Sequence, residues 1–157
     1  VPNKTTEPGQ VDVRGPRFTA WVTTVVIVAT LLLSAYSSMA AAIVLGLQAV
    51  VFAIGAIGGP RRHPYGLLFA TFVAPRLGPV TEREPVPPLK FAQLVGFGFA
   101  AVGAVAFAAG FVTIGLVLTA FALIAAFLNA AFGICLGCQL YPLVARFSHS
   151  SSKPNPA

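Results

Sequence analysis

Polar and apolar positions do not alternate along this chain; they segregate into blocks. Phe18–Pro60 and Phe91–Ala145 contain no Asp, Glu, Lys or Arg, and each run is more than twice the roughly 20 residues that a helix needs to span hydrocarbon. One crossing per run would leave about half of it unaccounted for, so each run predicts a pair. The polar group Ser34–Ser38 divides the first pair, and the helix-weak stretch around Gly110 divides the second. The pattern predicts an all-α membrane fold of four transmembrane helices arranged as two hairpins, at roughly 18–34, 39–58, 91–109 and 112–133, within a domain spanning 18–147. Residues 1–17 and 148–157, polar and rich in Pro, Gly or Ser, are expected to be flexible tails on the cytoplasmic side.

Between the pairs lies the proline-rich segment 59–90, expected to be a cytoplasmic loop. Within it, Tyr65–Val73 (YGLLFATFV) is apolar but too short to cross. It is expected to lie along the membrane surface as an amphipathic element, or to dock under the bundle as a re-entrant one. The two halves also resemble each other: RFTAWV (17–22) and KFAQLV (90–95) open them, and LQAVVF (47–52) and LNAAF (128–132) come near their ends. Either a duplicated hairpin or chance in an Ala/Val/Gly/Phe-rich sequence accounts for this.

Composition points the same way. Apolar residues are 57% of the chain and charged residues 9%, against about 25% charged in soluble domains. All ten Lys and Arg fall before residue 18, between 61 and 90, or after 145, and the two short turns have none. The positive-inside rule then puts both termini and the long loop in the cytoplasm, in a bacterial inner (plasma) membrane. A rival reading of residues 1–40 is a cleavable signal peptide, with a basic start, an apolar stretch Trp21–Leu33 and small residues before Ala40. The apolar run that follows directly suits a hairpin better. The net charge of +6 is accounted for by the membrane face, and nucleic-acid binding is not indicated. Arg61, Arg62, Arg76 and Arg83 are suited to anionic head groups or to docking a soluble partner.

Few side chains carry chemistry. The amides of Gln48 and Asn129 are expected to find partners on neighbouring helices, since an unpaired amide in hydrocarbon is costly. The two cysteines of the chain, Cys135 and Cys138, form a C-x-x-C pair at the expected cytoplasmic end of the fourth helix. Three readings are open: a thiol–disulfide or sulfur-relay pair, inert packing, or metal ligation. A permanent structural disulfide is not expected on the reducing side. The ligation reading draws on Cys135, Cys138, His63 and His149; no metal or other cofactor is assigned. Gly137 would let a partner's backbone or thiol approach, and Tyr141-Pro142 is expected to end or kink the helix. No nucleotide-binding fingerprint, catalytic triad or carboxylate dyad is present.

The segments RGPRF (14–18), LQAVVFAIGA (47–56), GPRRHPYG (59–66), PRLGP (75–79), PPLKFAQ (87–93) and AFLNAAFGICLGCQLYPL (126–143) resemble the bacterial membrane family catalogued as domain of unknown function 4395. The likeness covers roughly residues 12–147, and Cys135, Gly137, Cys138 and Tyr141 carry its most specific part. The resemblance implies no defined activity. It implies a loose association with thioredoxin-like and sulfurtransferase-like proteins, which are the expected cytoplasmic partners. The leading expectation is a membrane thiol–disulfide or sulfur relay, with a lipid-soluble quinone or a partner membrane protein accepting electrons. The alternative is a non-enzymatic membrane subunit or scaffold whose cysteines pack or hold a metal with a partner. Whether the chain is an enzyme, and its oligomeric state, stay open.

Overall fold

A computed structural model of the chain describes residues 9–150, with side chains as far as Ser148. Four helices are long and apolar enough to cross a membrane: α1 (Arg14–Ser34), α2 (Ser38–Gly58), α4 (Val86–Ala108) and α5 (Val112–Phe132). The chain is a multi-pass membrane protein. A short helix α3 (Pro64–Leu68) lies between α2 and α4, and a fifth long helix, α6 (Leu136–Ser150), follows α5.

The two turns fall where the sequence placed them. Ser37 caps α2, its hydroxyl accepting the N–H of Ala40 at 3.1 Å. Gly110, at φ +86°, supplies the left-handed residue that lets the chain reverse between α4 and α5. Two helices begin earlier than expected, α1 at Arg14 rather than 18 and α4 at Val86 rather than 91. In both, prolines (Pro16; Pro87 and Pro88) sit in the first turn, where a missing N–H costs no helical hydrogen bond. Part of the segment expected to be a flexible tail is therefore structured. Gln10–Asp12 (β1) pairs antiparallel with Arg83–Pro85 (β2), and residues 14–17 are helical. Asp12 holds this entry in place: its carboxylate accepts the backbone N–H of Arg14 at 3.0 Å and the Arg14 guanidinium at 2.8 Å. Burial acts to raise the Asp12 carboxyl, but the bonds and charge of Arg14 outweigh it and hold it below its ordinary range. The remainder of both expected tails, 1–8 and 151–157, lies outside the described residues.

The four spanning helices close a ring, in which α1 packs on α2, α2 on α4, α4 on α5, and α5 back on α1. The interior is lined mainly by small and weakly polar residues, with Ile27, Leu45 and Leu89 among them, and most large aliphatic residues face outward. On α1, Thr19, Ala20, Thr23, Thr24, Ile27 and Thr30 are buried, whereas Val25 and Leu32 are exposed. In lipid there is no hydrophobic gain from burying Val or Leu, so close packing of small residues decides which face turns inward. Thr24 and Thr30 return their hydroxyls to the carbonyls of Ala20 (2.7 Å) and Val26 (2.9 Å), so both enter the interior without an orphaned polar atom.

Tyr65–Val73 docks under the bundle. α3 runs into a π-helical turn at Phe69–Val73 and a 3-10 turn at Ala74–Arg76. Phe69 is buried against α1, beside Gly15 and with its ring centroid 5.7 Å from that of Phe18, while Leu67, Leu68 and Phe72 point outward.

Phe107 on α4 is fully buried, and a Cβ on Gly115 of α5 would lie 2.8 Å from its ring. Gly115→Ala is expected to lose about 1–3 kcal/mol, the usual cost of overpacking. Gly98→Ala, with nothing within 4 Å of the added carbon, should be tolerated. Thermal unfolding of the two variants in the same detergent checks the contrast.

Candidate functional site

The cysteines stand beyond the fourth spanning helix, not on it. α5 ends at Phe132, where Gly133 takes φ +69° and its N–H returns to the carbonyl of Asn129 at 3.0 Å. Cys135 then occupies the position before α6, and Cys138 lies in that helix's first turn. The Sγ of Cys135 accepts the N–H of Cys138 at 3.2 Å, as a capping side chain does, and the carbonyl of Cys135 accepts the N–H of Gln139 at 3.1 Å. The two sulfurs are joined in a disulfide, and both residues are half-buried.

α6 is held against the start of α4. A Cβ on Gly137 would lie 2.6 Å from Cα of Ala92, so only glycine permits this approach, and the rings of Phe91 and Tyr141 meet at 6.0 Å. The close backbone that Gly137 admits is thus the chain's own, not an outside partner's. Pro142 does not end the helix, which continues to Ser150; having no N–H, it gives the carbonyl of Cys138 no helical donor.

A second polar group lies beneath α2. His63 caps α3, its Nδ1 accepting the N–H of Tyr65 at 3.2 Å. That bond places the ring proton on Nε2, which donates to Oε1 of Gln93 on α4 at 3.2 Å. The Tyr65 hydroxyl donates to Oε1 of Gln48 at 2.8 Å. Gly55 makes room for this group, because a Cβ there would strike the His63 ring and Gln93. Burial holds His63 down at about 4, and its bond to Gln93 opposes this only in part. Burial raises the Tyr65 phenol.

Two cavities open between these groups. One, of about 400 Å³, is lined by Asp12, Arg61, His63, Phe69 and Gln93 among others. The other, of about 280 Å³, lies inside the ring and is lined by Thr23, Gln93, Ala126, Asn129 and Cys135 among others. Pro16, Thr19, Leu89 and Gln93 border both.

The sequence-derived residues divide accordingly. Asn129 and Cys135 meet at the inner cavity, whereas Gln48 pairs with Tyr65 of the loop region rather than with another spanning helix. His63 is not gathered to the cysteines. Both its ring nitrogens are engaged, both sulfurs are spent in the disulfide, and the His149 side chain lies outside the described residues. Among the described residues, no group of three or more His, Cys, Asp or Glu is placed to hold a metal ion. Arg61, Arg62, Arg76 and Arg83 are all exposed. Gln93 and Thr23 escaped the sequence reading. Gln93 had a usable signal, an amide in an uncharged run just as Gln48 is, but Thr23 had none among the threonines of α1.

A family model described as "Domain of unknown function (DUF4395)" matches residues 11–146, and the chain belongs to that family. No curated protein and no solved structure matches it.

Because His63 is neutral when folded and titrates near 6.5 when exposed, its contribution to stability is complete above about pH 6.5 and is lost as pH falls toward 4. The loss reaches about 3 kcal/mol by pH 4. His63→Asn keeps a capping acceptor and removes the titration. Melting curves from pH 7.5 to 4.5 should show a shallower acid limb in the variant than in the wild type.

Proposed function

Starting from membership of a family whose description carries no activity, we propose that this chain is a membrane thiol–disulfide relay with Cys135 and Cys138 as its exchanging pair. The observation that carries the reading is the disulfide itself, set at the start of α6 and half-buried rather than sealed in a core. A thiolate is the exchanging form of cysteine, and an N–H aimed at the Cys135 sulfur favours the anion once the bond is reduced. α6 is pinned to α4 through Gly137 and Tyr141, which holds the pair against the bundle.

The reading places the pair, both termini and the loop 59–90 in the cytoplasm of a bacterium. The confinement of all ten Lys and Arg to those segments supports this. There a disulfide must cycle, because the reducing pool would open one that did not. A soluble thioredoxin-like or sulfurtransferase-like protein is the partner of the reading. Arg61, Arg62, Arg76 and Arg83, exposed in the same segment as the outward-facing Leu67, Leu68 and Phe72, suit the head-group layer next to which it would dock.

The test is thiol trapping with a mass-shifting maleimide in native membranes equilibrated across glutathione potentials. The pair should pass from disulfide to dithiol in a single two-electron transition, about 30 mV per tenfold change in the ratio. Cys135→Ser and Cys138→Ser should each abolish that transition and take up one glutathione as a mixed disulfide. Sulfurs that stay in one state at every potential would remove the relay.

A further inference from the structure

The inner cavity is walled on one side by Cys135 and the start of α6 and on the others by the spanning helices. No residue lining it is charged. Its lining is mostly apolar, and includes Ala126 on α5, Gly96 on α4 and Phe52 on α2. Thr23 is 3% exposed and lines the cavity, yet its Oγ1 has no hydrogen-bond partner. On the same helix Thr24 and Thr30 return their hydroxyls to the carbonyl four residues back, so the orphaned state of Thr23 is not a habit of the helix. An unpaired buried hydroxyl costs free energy unless something accepts or donates to it. The amides of Gln93 and Asn129 border the same space.

An apolar, uncharged recess inside a bundle, with a few separated hydrogen-bonding groups and one residue of the disulfide in its wall, selects a particular kind of ligand. It must be neutral, flat and soluble in lipid, it must accept hydrogen bonds at its edges, and it must exchange two electrons. We propose that this cavity binds the ring of a membrane quinone and that Cys135 exchanges electrons with it. The inference rests on the relay reading and names the relay's second substrate.

The step balances without any further reactant. The Cys135 thiolate adds to a ring carbon of the quinone, forming an S–C bond. The Cys138 thiolate then attacks the Cys135 sulfur; the S–S bond forms, the S–C bond breaks, and the electron pair leaves with the ring. The two protons of the original thiols end on the two ring oxygens. The dithiol is oxidised to the disulfide and the quinone is reduced to the quinol. Cys135 lines the cavity and Cys138 does not, so their roles differ. Cys135 meets the ring, while Cys138 resolves the adduct and is the sulfur left for a partner's thiol. Thr23 and Asn129 hold the ring by its oxygens.

The experiment uses the full chain, purified, reduced and placed in lipid nanodiscs under anaerobic conditions, with decylubiquinone and menadione as probes. Quinol formation is followed by absorbance and the protein thiols by maleimide trapping. One quinone should be reduced per disulfide formed. Ala126→Phe, which fills the cavity, should slow the reaction by about tenfold or more. Thr23→Val, which keeps the side-chain shape and removes the hydroxyl, should raise the quinone concentration needed for half-maximal rate. Val105→Phe, a size control on the exposed outer face of α4, should leave the rate unchanged. If Ala126→Phe does not fold, Thr23→Val against Val105→Phe still decides the matter. An unchanged half-saturating quinone concentration in Thr23→Val, or no quinol from the wild type, overturns the quinone site. A wild-type pair that responds to glutathione but not to quinone overturns this inference and leaves the relay standing; a pair that responds to neither removes both.

Discussion

Hydrocarbon excludes charge and unpaired backbone polar groups, and the architecture follows from that exclusion. With no Asp, Glu, Lys or Arg between Phe18 and Pro60 or between Phe91 and Ala145, the chain can satisfy its backbone only as helices there. Their number follows from the thickness of the bilayer. Charge is left to one end of the bundle, and the elements that are not spanning helices gather at that end: the β1–β2 pair, α3 with its irregular continuation, and α6.

The same constraint explains why the interior is unlike a soluble core. Lipid gives little reward for hiding Val or Leu, so the ring closes mainly through glycine, alanine and threonine, with aromatic rings and the aliphatic Ile27 and Leu45 filling the gaps. Phe107 against Gly115 and Phe52 against Gly96 are such pairs. Small residues packed around large rings leave unfilled spaces, and the cavity beside Cys135 is one of them. Polar atoms admitted to this interior are mostly answered, as with Gln48 by Tyr65 and His63 by Gln93; the orphaned hydroxyl of Thr23 and Nε2 of Gln48 stand out against that background.

The spanning helices and both hairpin turns were legible in the sequence, because hydropathy blocks and punctuation at Ser37 and Gly110 reflect the bilayer directly. Helix starts were less legible. Pro16, Pro87 and Pro88 look like breakers in a string of letters, and only the position within the first turn reveals that they are compatible with a helix. Pro142 misled in the same way and hid α6, whose interior it occupies. The pairing of Cys135 with Cys138 was readable from spacing as one option among three. What surrounds the pair was not readable, because Ala92, Thr23 and Ala126 come from three different helices and bear no mark of their meeting.

Accessibility of single cysteines tests the four-crossing arrangement most directly. In a Cys135→Ser, Cys138→Ser background, Ser37→Cys and Phe111→Cys report the two turns and Thr81→Cys reports the long loop. A membrane-impermeant maleimide applied to intact bacterial cells should label the first two. The third should be labelled only after the membrane is opened. Labelling that puts position 81 on the same side as position 37, or positions 37 and 111 on opposite sides, would contradict the account.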